Sequence, residues 1–153
     1  AATFLEEKGS RGDDFATLHP GGALGRKLLL RVGDVMLTEQ LPTLTAERPM
    51  RECVVLLAER RGTVAVVDAK GTLVGVVTAG DLTRLMERTD DFLATPVRDV
   101  MTRTPKSTTA EELAGVAVSV MERHGIMALP VIDSQKRVVG IVHLHDLMKA
   151  GAV

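Results

Sequence analysis

The feature that most constrains this chain is a duplication. The stretch Gly75-Val76-Val77-Thr78-Ala79-Gly80-Asp81-Leu82 returns 65 positions later as Gly140-Ile141-Val142-His143-Leu144-His145-Asp146-Leu147. Each copy reads as a buried strand that stops at a polar residue and turns at once into a helix opened by Asp. Helix N-termini present unpaired backbone N–H groups and the positive end of a dipole. Two such junctions are natural places for a ligand that carries phosphates or hydroxyls.

The duplication extends in both directions. Val32-Gly33-Asp34-Val35-Met36 matches Val97-Arg98-Asp99-Val100-Met101, again 65 apart. A short extended piece follows, Pro42-Thr43-Leu44-Thr45 in the first copy and Pro105-Lys106-Ser107-Thr108 in the second. The spacing there falls to 63, as if the first copy held two extra residues after its Met. A helical stripe then runs through Met50, Cys53, Val54, Leu57 and Ala58, and at the same spacing of 63 through Leu113, Val116, Ala117, Val120 and Met121. Pro49 suits a helix start, and Gly62 and Gly125 suit helix ends. Two β-rich runs follow in each copy, joined by Ala69-Lys70-Gly71 or Ser134-Gln135-Lys136, and predict hairpins. A closing helix carries Leu82, Leu85 and Met86, or Leu147 and Met148. Thr89 to Pro96 reads as a polar connector. Each unit is β-α-β-β-α and about 55 residues long, too short to bury a good core alone. The expected solution is α/β (α+β): two repeats packed sheet to sheet with pseudo-two-fold symmetry and two equivalent clefts.

Composition removes several function classes. Three Phe, no Tyr and no Trp leave no platform on which bases could stack, which argues against a single-strand nucleic-acid binder. A net charge of −1 gives no footprint for DNA or an anionic membrane. No apolar run is long enough to span a bilayer, and the N-terminus lacks a basic stretch followed by an apolar core, so a cytoplasmic setting is expected. The single Cys53 sits in the helical stripe and reads as a buried thiol, not a nucleophile.

With these motifs in hand, the chain strongly resembles a tandem pair of CBS domains, a Bateman module. The carrying residues are the two Val-x-Asp-Val-Met openings, the strand Pro130-Val131-Ile132-Asp133 and the two Gly-x-x-[Thr/His]-x-x-Asp junctions. The resemblance covers residues 32–150. It implies CBS domain 1 over 32–88, a connector over 89–96 and CBS domain 2 over 97–153. The flanks carry a narrower resemblance. Asp14 to Leu29, with His19-Pro20-Gly21-Gly22, and the ending His143 to Gly151 look like the arabinose 5-phosphate isomerase family. There a sugar isomerase domain precedes a CBS pair and interconverts ribulose 5-phosphate and arabinose 5-phosphate, the entry to Kdo for lipopolysaccharide. Residues 1–31 would then be the end of that domain and its linker, with 1–8 the last turns of a helix closed by Gly9. The rest of the isomerase domain would be the missing partner.

The resemblance implies a ligand site at Thr78 and Asp81, at Ala128, Leu129 and Pro130, and at His143 and Asp146. A carboxylate accepts both hydroxyls of a ribose, and a Thr hydroxyl faces phosphate. The bland reading stands beside it, since Thr-x-x-Asp is also a capping box. The duplicated context favours the ligand. His143 takes the place of the usual Thr or Ser, and a protonated imidazole could meet phosphate or carboxylate. AMP, ATP or a sugar nucleotide such as CMP-Kdo is the implied effector, with no resident cofactor. His19, by the same resemblance, would act as general acid or base only in the full-length isomerase, so no turnover is expected here. His145 reads as a solvated helix residue, and the spacing of His143, His145 and Asp146 does not make a metal site. Met36, Met101 and Met127 read as core or cleft lining. Arg60-Arg61 and Arg48-Arg51 read as solvated helix faces. A homodimer through CBS pairs is expected, within a tetrameric parent. The rival reading is a structural dimerisation module with empty clefts.

Overall fold

Val32 and Val97 open the two repeats, both completely buried at the head of a short 3-10 turn. The computed structural model describes residues 29–152. Residues 1–28, including the His19 segment, lie outside the described residues, as does Val153. The elements are β1 Thr43–Thr45, α1 Met50–Glu59, β2 Thr63–Val67, β3 Leu73–Thr78, α2 Ala79–Arg88, α3 Ala114–His124, β4 Ala128–Ile132, β5 Val138–His143 and α4 Leu144–Lys149. Further 3-10 turns lie at Val32–Asp34, Phe92–Ala94 and Val97–Asp99.

The chain gathers into two compact units. One contains residues 37–107 together with 130–141. Its sheet has the order β1-β2-β3. β1 lies parallel to β2, with Leu44 opposite Val66, and β2 runs antiparallel to β3, with Val64 opposite Val77. Its core joins Met50, Cys53 and Leu57 of α1 to Val64, Val66, Val77, Leu85 and Val97. Burial pushes the Cys53 thiol up to about 12, helped by the negative charge of Asp81, so it stays a protonated core group. The other unit contains, among the described residues, 29–36 with 108–129 and 142–152. Ala114, Ala117, Val118 and Met121 of α3 are buried there, as are Leu129, Val142 and Leu147, and α3 packs on α4.

The opening turn of each repeat docks on the other repeat. Val97 N–H donates to Arg48 O at 2.8 Å and Arg98 N–H to Ala46 O at 2.9 Å. Reciprocally, Val32 N–H donates to Glu112 O and Gly33 N–H to Ala110 O, each at 2.9 Å. These paired contacts correct the expected helix alignment. Arg48 answers to Glu112 and Ala46 to Ala110, so the true spacing is 64, not 63. Buried Met50, Cys53 and Leu57 correspond to buried Ala114, Ala117 and Met121. Val116, placed in the stripe by the sequence, is 43% exposed, and Ala58 is exposed as well. The two left-handed turns after the helices agree with the same spacing. Arg61 and Gly125 both have positive φ, at 63° and 65°.

Two more expectations need correcting. Residues 105–108 form no strand, whereas 43–45 do. At the spacing of 64, Thr108 stands where Leu44 packs against the core, so the second copy has no apolar side chain to anchor a strand there. The connector is not purely polar, because Phe92 packs on the core and Thr95 O accepts from Met50 N–H at 2.8 Å. Of the methionines read as core or cleft lining, Met127 is 62% exposed and so lies outside the core, while Met101 packs against it.

The hairpin turns are built alike. The Asp68 carboxylate accepts the N–H groups of Thr72 and Lys70, and the Asp133 carboxylate those of Arg137 and Gln135, all at 2.9 Å. These bonds, led by Thr72 and by Arg137, hold both carboxyls below their usual range. The support they give is present at neutral pH and is lost as acid protonates them. The two turns also meet. Leu73 N–H donates to Lys136 O at 2.9 Å and Val138 N–H to Gly71 O at 3.0 Å.

Candidate functional site

The first junction is a strand that delivers Thr78 to the head of α2. Thr78 keeps extended dihedrals and serves as the N-cap. The Asp81 N–H donates to Thr78 Oγ1 at 3.3 Å, and the Thr78 N–H donates back to Asp81 Oδ2 at 2.9 Å. This is the reciprocal capping box, with the short acid in the third helical position. The Thr78 hydroxyl also donates to Oδ2, at 3.1 Å. The other oxygen, Oδ1, accepts from the guanidinium of Arg84, one turn along. Sequence reasoning found Thr78 and Asp81 but missed Arg84, although its spacing of three from Asp81 was a visible signal. Removing the cap with Thr78→Ala is expected to lower stability by about 1 kcal/mol, read as the midpoint of urea unfolding.

Beside this cap lies an open groove of about 340 Å³, lined by Asp81, Arg84, Leu85, Glu87, Arg88, Asp99 and Val100. All of these residues come from the unit built on residues 37–107. The groove carries both signs of charge, two guanidinium groups against three carboxylates, and only two apolar side chains.

The second junction is chemically different. His143 is the N-cap of α4, and its side chain makes no capping bond. It is 3% exposed, with Nδ1 4.0 Å from Asp146 Oδ2. An imidazole in place of a hydroxyl therefore sits in a nearly dry position next to a carboxylate. α4 is also shorter, six residues against ten for α2. His145 is exposed, as the sequence suggested. Ala128, Leu129 and Pro130 are all buried in β4, backbone as well as side chain. The structure thus joins Thr78 to Asp81 and sets His143 near Asp146. Thr78, Asp81 and Pro130 belong to one compact unit; Ala128, Leu129, His143 and Asp146 belong to the other. His19 lies outside the described residues. Among the described residues no cluster of three His, Cys, Asp or Glu could hold a metal, and no helix is long and apolar enough to cross a membrane.

Comparison with known proteins agrees with this anatomy. The chain is 40% identical over 155 aligned residues to the arabinose 5-phosphate isomerase KdsD of Pseudomonas aeruginosa, covering 100% of this chain and 48% of that protein. It is 37% identical to KdsD of Yersinia pestis, covering 100% of this chain and 47% of that one. The chain spans about half the length of the curated relatives it matches. Among solved structures, the CBS domain pair of MJ0100, in complex with 5′-methylthioadenosine and S-adenosyl-L-methionine, superposes with a TM-score of 0.70 at 24% identity. That match covers 78% of this chain and 97% of the other. CBSX2 in complex with AMP gives 0.69 at 25% identity, covering 78% and 94%. The family profile described as CBS domain matches twice, over residues 32–88 and 97–153, and the chain belongs to the CBS domain family as a tandem pair.

Proposed function

We propose that this chain is the regulatory, non-catalytic CBS pair of an arabinose 5-phosphate isomerase, with residues 32–88 and 97–153 as its two domains. It binds a nucleotide effector through its duplicated junctions. Thr78 and Asp81 meet phosphate and ribose at one, with Pro130 in the same unit; His143 and Asp146, with Ala128 and Leu129, serve the other. Regulation of this kind requires that the effector bind two arrangements of the protein with different affinity. The arrangements would differ in how the pair docks on the sugar isomerase domain that the full-length relatives carry. His19 would act in that domain's catalysis. A second copy of the chain is the expected further partner, and the cytoplasm the expected location.

The observation that carries this reading is the second copy of Gly-x-x-[Thr/His]-x-x-Asp in a chain similar to KdsD along its whole length. A capping box alone would need no duplication. The AMP in CBSX2 supports an adenine nucleotide. The imidazole at 143 supports an effector with added negative charge, and CMP-Kdo, which carries a carboxylate, is the chosen candidate. One observation favours the rival structural reading: the Asp81 carboxylate is already committed to its own helix. A thermal-shift panel of AMP, ATP, CMP and CMP-Kdo separates the two. A ligand at a hundred times its dissociation constant stabilises by about 2.7 kcal/mol, which raises the midpoint by about 5–10 °C for a chain of this size. No shift with any of the four would leave the dimerisation module as the better reading.

A further inference from the structure

Resting on the reading of Asp81 as a ligand-binding carboxylate, we propose that Arg84 is a latch that a ribose diol must displace. A carboxylate offers about four acceptor positions. Three of those on Asp81 are taken, two on Oδ2 by the N–H and hydroxyl of Thr78 and one on Oδ1 by Arg84. A diol that donates twice needs two. One present donor must therefore leave.

The geometry points to Arg84 as the one that leaves. The Thr78 N–H is fixed by the helix start, and with a nucleoside, which brings no phosphate, the part-buried Thr78 hydroxyl keeps its place on Oδ2. The Arg84 side chain is 69% exposed, on a long stem, and its ion pair with Asp81 is of the weak surface kind. It is also poorly placed electrostatically. A Cβ added to Gly80 would stand 3.5 Å from Arg84 Nη1 and 3.7 Å from Thr78 Oγ1, so the guanidinium lies over the first turn of its own helix. That is the positive end of the helix dipole, where a cation is disfavoured. Asp81 is what holds it there. Once released, Arg84 has other carboxylates within the same groove, Glu87 and Asp99. The ligand class is a ribonucleoside with a free 2′,3′-diol.

The test is calorimetric titration of the wild-type chain and the Arg84→Met and Arg84→Lys variants with adenosine and cytidine, each beside its 2′,3′-dideoxy form. Removing the latch is expected to tighten ribonucleoside binding about two- to fivefold, the range of an exposed ion pair, and to leave the dideoxy forms unchanged. The Lys variant keeps a competing cation and is expected to stay near wild type. Unchanged or weaker ribonucleoside binding in Arg84→Met overturns the latch, as does an equal gain for the dideoxy forms. If no nucleoside binds any of the three proteins, and the nucleotide panel gives no shift either, the effector reading itself has failed and the latch falls with it.

Discussion

Gly75→Val is expected to lower stability by about 3 kcal/mol, seen as a fall of about 6–12 °C in the thermal midpoint. A Cβ at this position would sit 2.7 Å from Met101 Sδ and 2.9 Å from Thr102 O. The second contact is with backbone and has no rotamer by which to escape. It lies where β3 receives the segment after the second opening turn, with Val76 and Thr102 exchanging N–H to O bonds at 3.1 and 2.9 Å. A side chain at 75 must break that exchange or bend the strand that delivers Thr78. The glycine at the head of the duplicated stretch is thus a packing requirement three residues from the cap. A Gly75→Val chain that melts within about a degree of wild type would show that Thr102 does not approach β3 so closely.

Leu85→Ala is expected to cost about 2–5 kcal/mol, while Met86→Ala changes stability by less than about 0.5 kcal/mol. The two residues are neighbours on α2. Leu85 is 2% exposed and packs with Met50, Cys53 and Val77, whereas Met86 is 51% exposed. Leu85 also lines the groove one turn beyond Asp81, so its loss leaves α2 without its main anchor in the core. Urea unfolding of the pair is the measurement. Equal losses from both substitutions would mean that α2 does not present the face described.

These two substitutions also show what the sequence could and could not reveal. The period of Leu82, Leu85 and Met86 marked an amphipathic helix, but only the packing separates buried Leu85 from exposed Met86. The same weakness shifted the helix alignment by one residue. Val116 looks like a better core residue than Ala114, yet Ala114 is completely buried and Val116 is exposed. The spacing of 65 at the junctions and openings was legible because it rests on Gly, Asp and Met at fixed places. The exchange of opening turns between repeats was not, since it is a long-range backbone pairing with no local mark. At the candidate site, Thr78 and Asp81 were readable from the capping pattern and its duplication. Arg84 had a legible spacing of three from Asp81, but that its guanidinium folds back over the helix start is seen only in its rotamer.

The most direct measurement is a set of amide spectra of the isotope-labelled chain during titration with AMP and with CMP-Kdo. If the duplicated junctions are nucleotide sites, at least one of these ligands moves the resonances of Thr78 to Arg84 in a saturable way, and Asp81→Ala abolishes the response. Amides of that stretch that stay fixed with both ligands at millimolar concentration would contradict it.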